Sequence, residues 1–558
     1  MCILAPNPLA NTSKARFRSL PWHDNHPCKL DIERRLAPNH LARIFDDAVE
    51  RLDLALLRNT YHGTGSEAHL PERLLRAVLY EVRNGFHSPA QWYTHARENE
   101  PVRWLLRGSA VARSCWYDFR DRLVPLLPQL NQQPLAQAIE SGLTTATRGA
   151  LDGTLVAANA SRHKVVTHTT LLKRLEQLAA ACAAEAAQAQ PVAAASTPVV
   201  VAPAPGDEAP EGAADLTVPS LPATQASAIT NTPVPPTPPP GRPAWMAPSV
   251  AGRKEQQQRL QRARQRMQEL QENNLKKWAS KQKKAESIVV SLSDPETAVG
   301  RDKEKVFRPL YNVQIVDDLD SALILAYDVF AQQNDAGLLG PMLTRVEEQV
   351  GHGLEKALVD SAYAGGVDLA AAEAKKVTVY APVPGDGVVN PKQIPKREFR
   401  WQEAEQTYVC PEGHRLEFEE SWREKRVGGG IQVWRYRCAP EHCLACPQQA
   451  RCTRTPEKGR AVTRQEHEEL IEALRSRMES EEAKKLYRLR GENVELVNAD
   501  WKEHRKLRKF SGRGLKRVGA EVGLNVLANN LVTVHTKQPE VPPRTALPVV
   551  ANPASNTT

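Results

Sequence analysis

The chain has 558 residues, with 74 Lys and Arg against 65 Asp and Glu, a formal net charge of +9. That length holds two to four domains of about 100–200 residues each, and the positive balance suits a polyanionic partner while also fitting ordinary basic solubility. A membrane span is not expected, because no segment offers the ~18 uninterrupted apolar residues it needs; Glu185, Gln188 and Gln190 break even the Ala-rich run near Leu178. The opening stretch MCILAPNPLANTSKARF has neither the charged start nor the continuous apolar core of a signal peptide, so secretion is not expected. Of 9 Cys, five crowd between Cys410 and Cys452, unlike a spread disulfide framework, which points to a reducing cytoplasm.

Residues 1–40 read as an N-terminal extension and 41–140 as a helical region. In PERLLRAVLYEVRNG, Pro71 suits a first helical turn, Leu74, Leu75, Val78 and Leu79 recur at helical spacing, and Gly85 closes the segment. Ser88-Pro89 starts a second helix, and VARSCWYDFRDRLVPLL gives a third. Short helices with tight turns make either a helix-turn-helix DNA reader or a plain bundle. Residues 141–190 hold the first strands and an arm helix, TLLKRLEQLAA; the Ala, Pro, Thr and Val composition of 191–250 predicts a disordered linker. Over 251–287, Leu260, Ala263, Met267 and Leu270 form a short heptad seam. Its partner is the helix near residue 175, in a hairpin arm, or a second subunit; the hairpin is preferred because two heptads are short for a dimer.

Over 288–384 the pattern is strand, strand, helix, strand, helix, strand: YNVQIVDD and SALILAYDVF as an antiparallel hairpin, LLGPMLTRVEEQV, the run Ala357 to Val359, VDLAAAEAKK, then VTVYAPVP. This predicts a mixed α/β domain. Two strands meet a carboxylate: Asp360 follows Val359, and Asp152 stands in RGALDGTLVAANASRH. Carboxylates at neighbouring strand ends can hold a hard cation such as Mg²⁺, although a lone strand-end Asp is also an ordinary turn residue. A third acid is available in EEAKKLYRLRGENVELVNADWKEHRKLRKF. Helical spacing puts Gly491, Asn498, Ala499 and Lys502 on the face of Glu495, with Leu486, Leu489, Val497 and Trp501 as a separate apolar stripe and Glu492 as the rival acid.

The segment 385–475 carries VCPEGH, two alternating stretches around Gly428 to Gly430, and CAPEHCLACPQQARC. This resembles a zinc ribbon, with Cys410, Cys438, Cys443 and Cys446 as the favoured Zn²⁺ ligands and Cys452 and His414 as further donors; a set of core thiols is the alternative. Residues 476–535 pair the acidic helix with a basic run, KEHRKLRKFSGRGLKR. There Arg505, Lys506, Arg508, Lys509, Arg513, Lys516 and Arg517 offer a salt-dependent grip on phosphates without sequence choice. Residues 536–558 read as a disordered tail.

The blocks DGTLVAANASRH, YNVQIVDD, VDSAYAGG and YRLRGENVELVNADWK, in that order, resemble the catalytic blocks of DDE-class transposases of bacterial insertion sequences. The resemblance implies a multidomain α/β chain with an RNase-H-like mixed sheet, a helical DNA-binding region near the N-terminus, and a catalytic triad at Asp152, Asp360 and Glu495 holding two Mg²⁺ ions, or Mn²⁺. In the family's register Tyr487, Arg490 and Lys502 accompany Glu495 and meet DNA. Where that family has an aromatic residue and a Gly after the Glu, this chain has Asn498 and Ala499. The implied activity is cleavage and strand transfer on double-stranded DNA, at terminal inverted repeats and target DNA, by a homo-oligomer in the bacterial cytoplasm at the nucleoid. The alternatives are a transposase-derived DNA-binding regulator without cleavage and a nuclease of the same fold.

Overall fold

The computed structural model describes residues 15–63, 65–189, 242–277, 279–383, 394–424 and 430–538. Most of the expected linker, Gly428 and Gly429, and the tail from 539 onward lie outside them. The chain opens with helices α1 (Pro27–Arg35), α2 (Leu41–Glu50), α3 (Ala55–Arg58), α4 (Pro71–Arg83), α5 (Pro89–Glu98), α6 (Glu100–Leu105), α7 (Arg113–Leu123) and α8 (Leu127–Glu140). Strands β1 (Arg148–Ala157) and β2 (Val165–Thr167) follow, then helices α9 (His168–Ala189) and α10 (Val250–Leu275). The next stretch holds β3 (Val289–Ser291), β4 (Ala298–Arg301), β5 (Phe307–Asp318), β6 (Ile324–Phe330), α11 (Leu339–Val350), β7 (Lys356–Leu358), α12 (Gly366–Ala374) and β8 (Thr378–Tyr380). A second sheet is built from β9 (Arg400–Gln402), β10 (Thr407–Val409), β11 (Arg415–Glu424), β12 (Ile431–Cys438) and β13 (Ala461–Gln465), with α13 (Pro440–Leu444) and α14 (Gln449–Cys452) between the last two strands. Helices α15 (Glu468–Glu479), α16 (Glu481–Glu503) and α17 (Leu515–Lys537) complete the described chain.

Ser88 caps α5 with a full capping box, its side chain meeting the Gln91 amide while the Gln91 side chain returns to the Ser88 backbone, as the Ser-Pro start implies. The helix α4 buries Leu74, Leu75, Ala77, Val78, Leu79 and Val82, more than one amphipathic stripe, because α2 and α17 both cover it. The covering helix α17 is a shared core element. Ala520, Leu524, Leu527 and Leu531 pack among the N-terminal helices, whereas Val518, Val522 and Val526 pack on the sheet side with Trp501.

The first sheet runs β4-β5-β1-β7-β8, with β6 also on β5. The strand β5 is antiparallel to β1, β4 and β6, and β1, β7 and β8 are mutually parallel neighbours, so the sheet is mixed. The β5–β6 hairpin forms as the pattern predicts. Unlike a half-exposed alternating strand, though, β5 is buried on both faces from Pro309 to Asp318. Tyr311, Val313 and Ile315 face a core shared with Trp501 and Val522, while Val316 joins Met342 and Leu343 of α11. The polar residues Asn312, Gln314, Asp317 and Asp318 are thereby enclosed.

Residues 169–262 form a separate compact unit. Within it Leu171, Leu178 and Leu260 are buried, Arg253 Nε donates to Glu185 Oε2 at 3.2 Å, and Arg174 lies over the Trp245 ring. The ion pair joins α9 to α10, in line with the hairpin arm. The second sheet is antiparallel in the order β13-β12-β11-β10-β9. Tyr408, Leu416, Tyr436 and Val462 fill its core, and pairs such as Glu419–Arg437 line its surface.

Candidate active site

Asp360 follows the end of β7, but Asp152 lies inside β1, which continues to Ala157 instead of ending on the acid; register brings the two to the same level of the sheet. Strands β1 and β7 run parallel with Ala150 opposite Leu358, and Asp152 and Asp360 each stand two residues further on. The Asp360 carboxylate caps the short turn Ser361–Tyr363, accepting from Ser361 Oγ at 2.9 Å and the Ala362 amide at 3.3 Å. Helix α16 crosses the same edge. Its Val494 is fully buried against Ala150 and Leu358, and the residues one turn to either side reach Asp152. Arg490 Nη2 donates to Asp152 Oδ1 at 2.9 Å and Asn498 Nδ2 to Asp152 Oδ2 at 2.8 Å. Spacing of four residues from 490 through 494 to 498 places all three on one helix face. Burial raises the Asp152 pKa, and Arg490, the Gly153 amide and Lys303 act against it. Tyr487, half-buried on the same face, has its hydroxyl pKa raised by burial, with Asp360 and Asp152 adding to the shift while Arg490 opposes it.

Glu495 is exposed, and among the described residues it makes no hydrogen bond or ion pair. At about 100° per residue it shares a flank with Gly491, Asn498 and Lys502, whereas Glu492 lies roughly half a turn from the Arg490–Asn498 face. Lys502 is half-buried; burial lowers its pKa, and so do the cations Lys303 and Arg508. The basic run is pinned beside β1, since the Ala157 amide donates to the Arg508 carbonyl and the Phe510 amide to the Ala157 carbonyl, at 3.2 and 2.9 Å. Lys506, Arg508, Lys509, Arg513, Lys516 and Arg517 are exposed there.

Arg505 is not among them, which corrects its assignment to the DNA face. It is 1% exposed, with its guanidinium spent on Asp500 Oδ2, the Asn525 carbonyl and Asn529 Oδ1. A buried guanidinium needs such partners, and every one of them is internal.

Sequence reasoning missed three residues. Asn498 stood on the face of Glu495 and as a departure from the family pattern, with no role assigned, yet it holds one oxygen of Asp152. Asp317, enclosed on β5 on the same sheet face as Asp152, has neither carboxylate oxygen hydrogen-bonded; burial first, then Asp152 and Asp318, push its pKa well up. Lys303, in the turn between β4 and β5, acts electrostatically on both Asp152 and Lys502. Acids at adjacent positions in a strand of the sheet centre were the available signal for Asp317. Nothing local marks Lys303.

No group of three His, Cys, Asp or Glu side chains among the described residues is arranged to hold a metal ion. That holds for the expected zinc ligands and equally for Asp152, Asp360 and Glu495, which are not drawn together as a three-acid site. Cys410, Cys438, Cys443 and Cys452 are buried with Phe399, Tyr408 and Leu416, and half-buried Cys446 lies near enough to act on Cys452. Burial first, then the neighbouring Cys443, Cys410 and Cys452 thiols, push Cys438 up to about 12. Zinc is not supported for the favoured set of Cys410, Cys438, Cys443 and Cys446.

Residues 409–535, from the second sheet through α17, match the family model described as a transposase DDE domain. Residues 30–122 match a transposase domain model, DUF772. Neither match reaches Asp152 or Asp360; Glu495, Arg490 and Asn498 lie within the first. No curated protein and no solved structure matches the chain. A match to a transposase domain followed by a match to a transposase DDE domain, with Asp152 and Asp360 between the two matched segments, indicates an insertion-sequence DDE transposase.

Proposed function

We propose that the protein binds the ends of its insertion sequence and catalyses DNA cleavage and strand transfer, with Asp152, Asp360 and Glu495 as the acids of an RNase-H-like domain. The observation that carries this is the common register of Asp152 and Asp360 on parallel neighbouring strands, under a helix whose side chains grip Asp152. Hard carboxylate oxygens suit Mg²⁺ or Mn²⁺, and unpartnered buried oxygens lie beside Asp152: both of Asp317 and Oδ1 of Asn498. Asp152 and Asp360 would hold such ions with Glu495, and bound Mg²⁺ supplies Lewis acidity and an activated oxygen nucleophile for in-line displacement at phosphorus.

The chain's own groups do the rest. Arg490 and Asn498 orient Asp152, and Lys502, with Lys303 close by, offers positive charge to the scissile phosphate as negative charge grows on its oxygens. The exposed cations from Lys506 to Arg517 hold the flanking backbone, and the N-terminal helices read the terminal inverted repeats. Work of this kind belongs in the bacterial cytoplasm at the nucleoid; no described helix is long and apolar enough to cross a membrane. Pairing of two ends calls for more than one copy on DNA.

The test is a cleavage and strand-transfer assay on DNA carrying the element's ends, run beside a binding titration. Asp152→Asn, Asp360→Asn and Glu495→Gln each abolish both chemical steps while affinity and its salt slope stay nearly unchanged. Cleavage without joining in the wild type identifies a nuclease, and binding without either step identifies a regulator. Activity retained by Asp360→Asn overturns the assignment of the acids, and activity kept by Glu495→Gln but lost in Glu492→Gln moves the third acid.

A further inference from the structure

Gln314 stands opposite Gly153 in the β1–β5 register, on the sheet face away from Asp152, and is fully buried. Its amide is completely used. Nε2 donates to Asp335 Oδ1 at 2.7 Å and to Asn312 Oδ1 at 2.9 Å, and Oε1 accepts from the Tyr363 hydroxyl at 2.5 Å. Asn312 Nδ2 donates to the same Asp335 oxygen at 2.7 Å. The cluster presses on the β1 backbone: a Cβ at Gly153 would lie 2.2 Å from Gln314 Nε2 and 2.4 Å from Asp335 Oδ1. At its other end Tyr363, itself fully buried, closes the short turn that Asp360 caps.

This network spans a gap that strand pairing leaves open. The β1–β7 ladder runs only from Arg148–Lys356 to Ala150–Leu358 and stops before either acid. Beyond it the separation of Asp152 from Asp360 depends on side chains. A continuous path runs from the backbone beside Asp152, through Gln314, to the turn that carries Asp360. A network serving stability alone has no need to join these two points, and buried ionic groups are often replaceable by well-packed apolar ones without loss of stability.

We propose that Gln314, locked by Asp335 and Tyr363, is a positioning residue that sets the spacing of Asp152 and Asp360 and thereby the affinity of the site for a divalent cation. The inference rests on the reading of those two acids as cation-holding groups. Supporting groups behind metal ligands change affinity by about 10–100-fold when altered. The experiment titrates Mn²⁺ into the full-length protein without DNA, followed by electron paramagnetic resonance, and records the thermal midpoint of each variant. Tyr363→Phe, which deletes one hydrogen bond and keeps the ring, weakens Mn²⁺ binding about tenfold, and Gln314→Met does so at least as strongly. Asp335→Asn keeps an oxygen for Asn312 and Gln314 and retains near-wild-type affinity, whereas Asp335→Ala loses it. The Mg²⁺ concentration for half-maximal cleavage rises in step, and the rate at saturating metal recovers. Wild-type Mn²⁺ affinity in both Tyr363→Phe and Gln314→Met overturns the positioning role, as does a fall in thermal midpoint without any change in affinity. The control is Asp152→Asn: if it binds Mn²⁺ as the wild type does, the reading of the acids has failed and the positioning role fails with it.

Discussion

The two sheets bury opposite chemistries. The mixed sheet encloses Asn312, Gln314, Asp317 and Asp318 and half-encloses Asp152, whereas the antiparallel sheet of the insertion encloses Tyr408, Leu416, Tyr436 and thiols and keeps most of its charges outside, paired across β11 and β12. Burying polar groups costs free energy unless they are partnered, so a sheet kept for stability alone takes the second form. Asp317, with neither oxygen bonded, is the least compensated of these residues and lies beside the acid that α16 grips. On the proposed function, the mixed sheet is the seat of chemistry and the second sheet a scaffold.

The comparison breaks if substitutions in the two sheets have the same kind of effect. Asp152→Asn is expected to lower Mg²⁺-dependent cleavage on the order of 10³-fold, with the unfolding midpoint nearly kept, because it removes a charge that acts in the transition state. Tyr408→Ala, in the aromatic core of the insertion, is expected to cost about 3 kcal/mol of stability in denaturant unfolding and to act on cleavage only through the folded fraction. A cleavage loss in Tyr408→Ala at full folding erases the distinction.

An effect of similar size separates the regions by pH. Burial raises Asp368 to about 6, although its carboxylate accepts from the Gly337 and Leu339 amides. Folded Asp368 thus keeps a proton that the unfolded chain releases near pH 4. Its contribution is fully present below that pH and is lost as pH rises toward 6, by roughly 3 kcal/mol. Hydrogen exchange measured across pH 4 to 7 should show protection around Asp368 falling with pH while protection in β11 and β12 stays level, and Asp368→Asn should flatten the first trend. Smallest of all is Glu419→Gln, which removes a half-exposed partner of Arg437 and is expected to change stability by less than about 1 kcal/mol.

Much of this contrast was legible in the sequence. Asp152 and Asp360 announced themselves because apolar runs ended on carboxylates, and the order of strands and helices from Tyr311 to Tyr380 followed from periodicity and turn residues. The predicted stripe on α16 was only partly right. Trp501 is buried, but Val494 rather than Leu486 or Leu489 is the fully enclosed residue, because the face that meets the sheet is the one carrying Arg490 and Asn498, both bonded to Asp152.

By itself the sequence determined which elements form, in what order, and which carry acids and cations, since propensity, period and capping act over a few residues. Only the tertiary structure decided what each charged side chain meets. Arg505 is withdrawn into the core by residues on α17, Asn498 is turned onto Asp152 across 346 positions of sequence, and Gln314 bridges Gly153 and Tyr363. The physical reason is that burial and hydrogen-bond partnership are properties of pairs. Local pattern states which face an element hides, and the partner on the far side of that face comes from a distant segment whose approach no periodicity records.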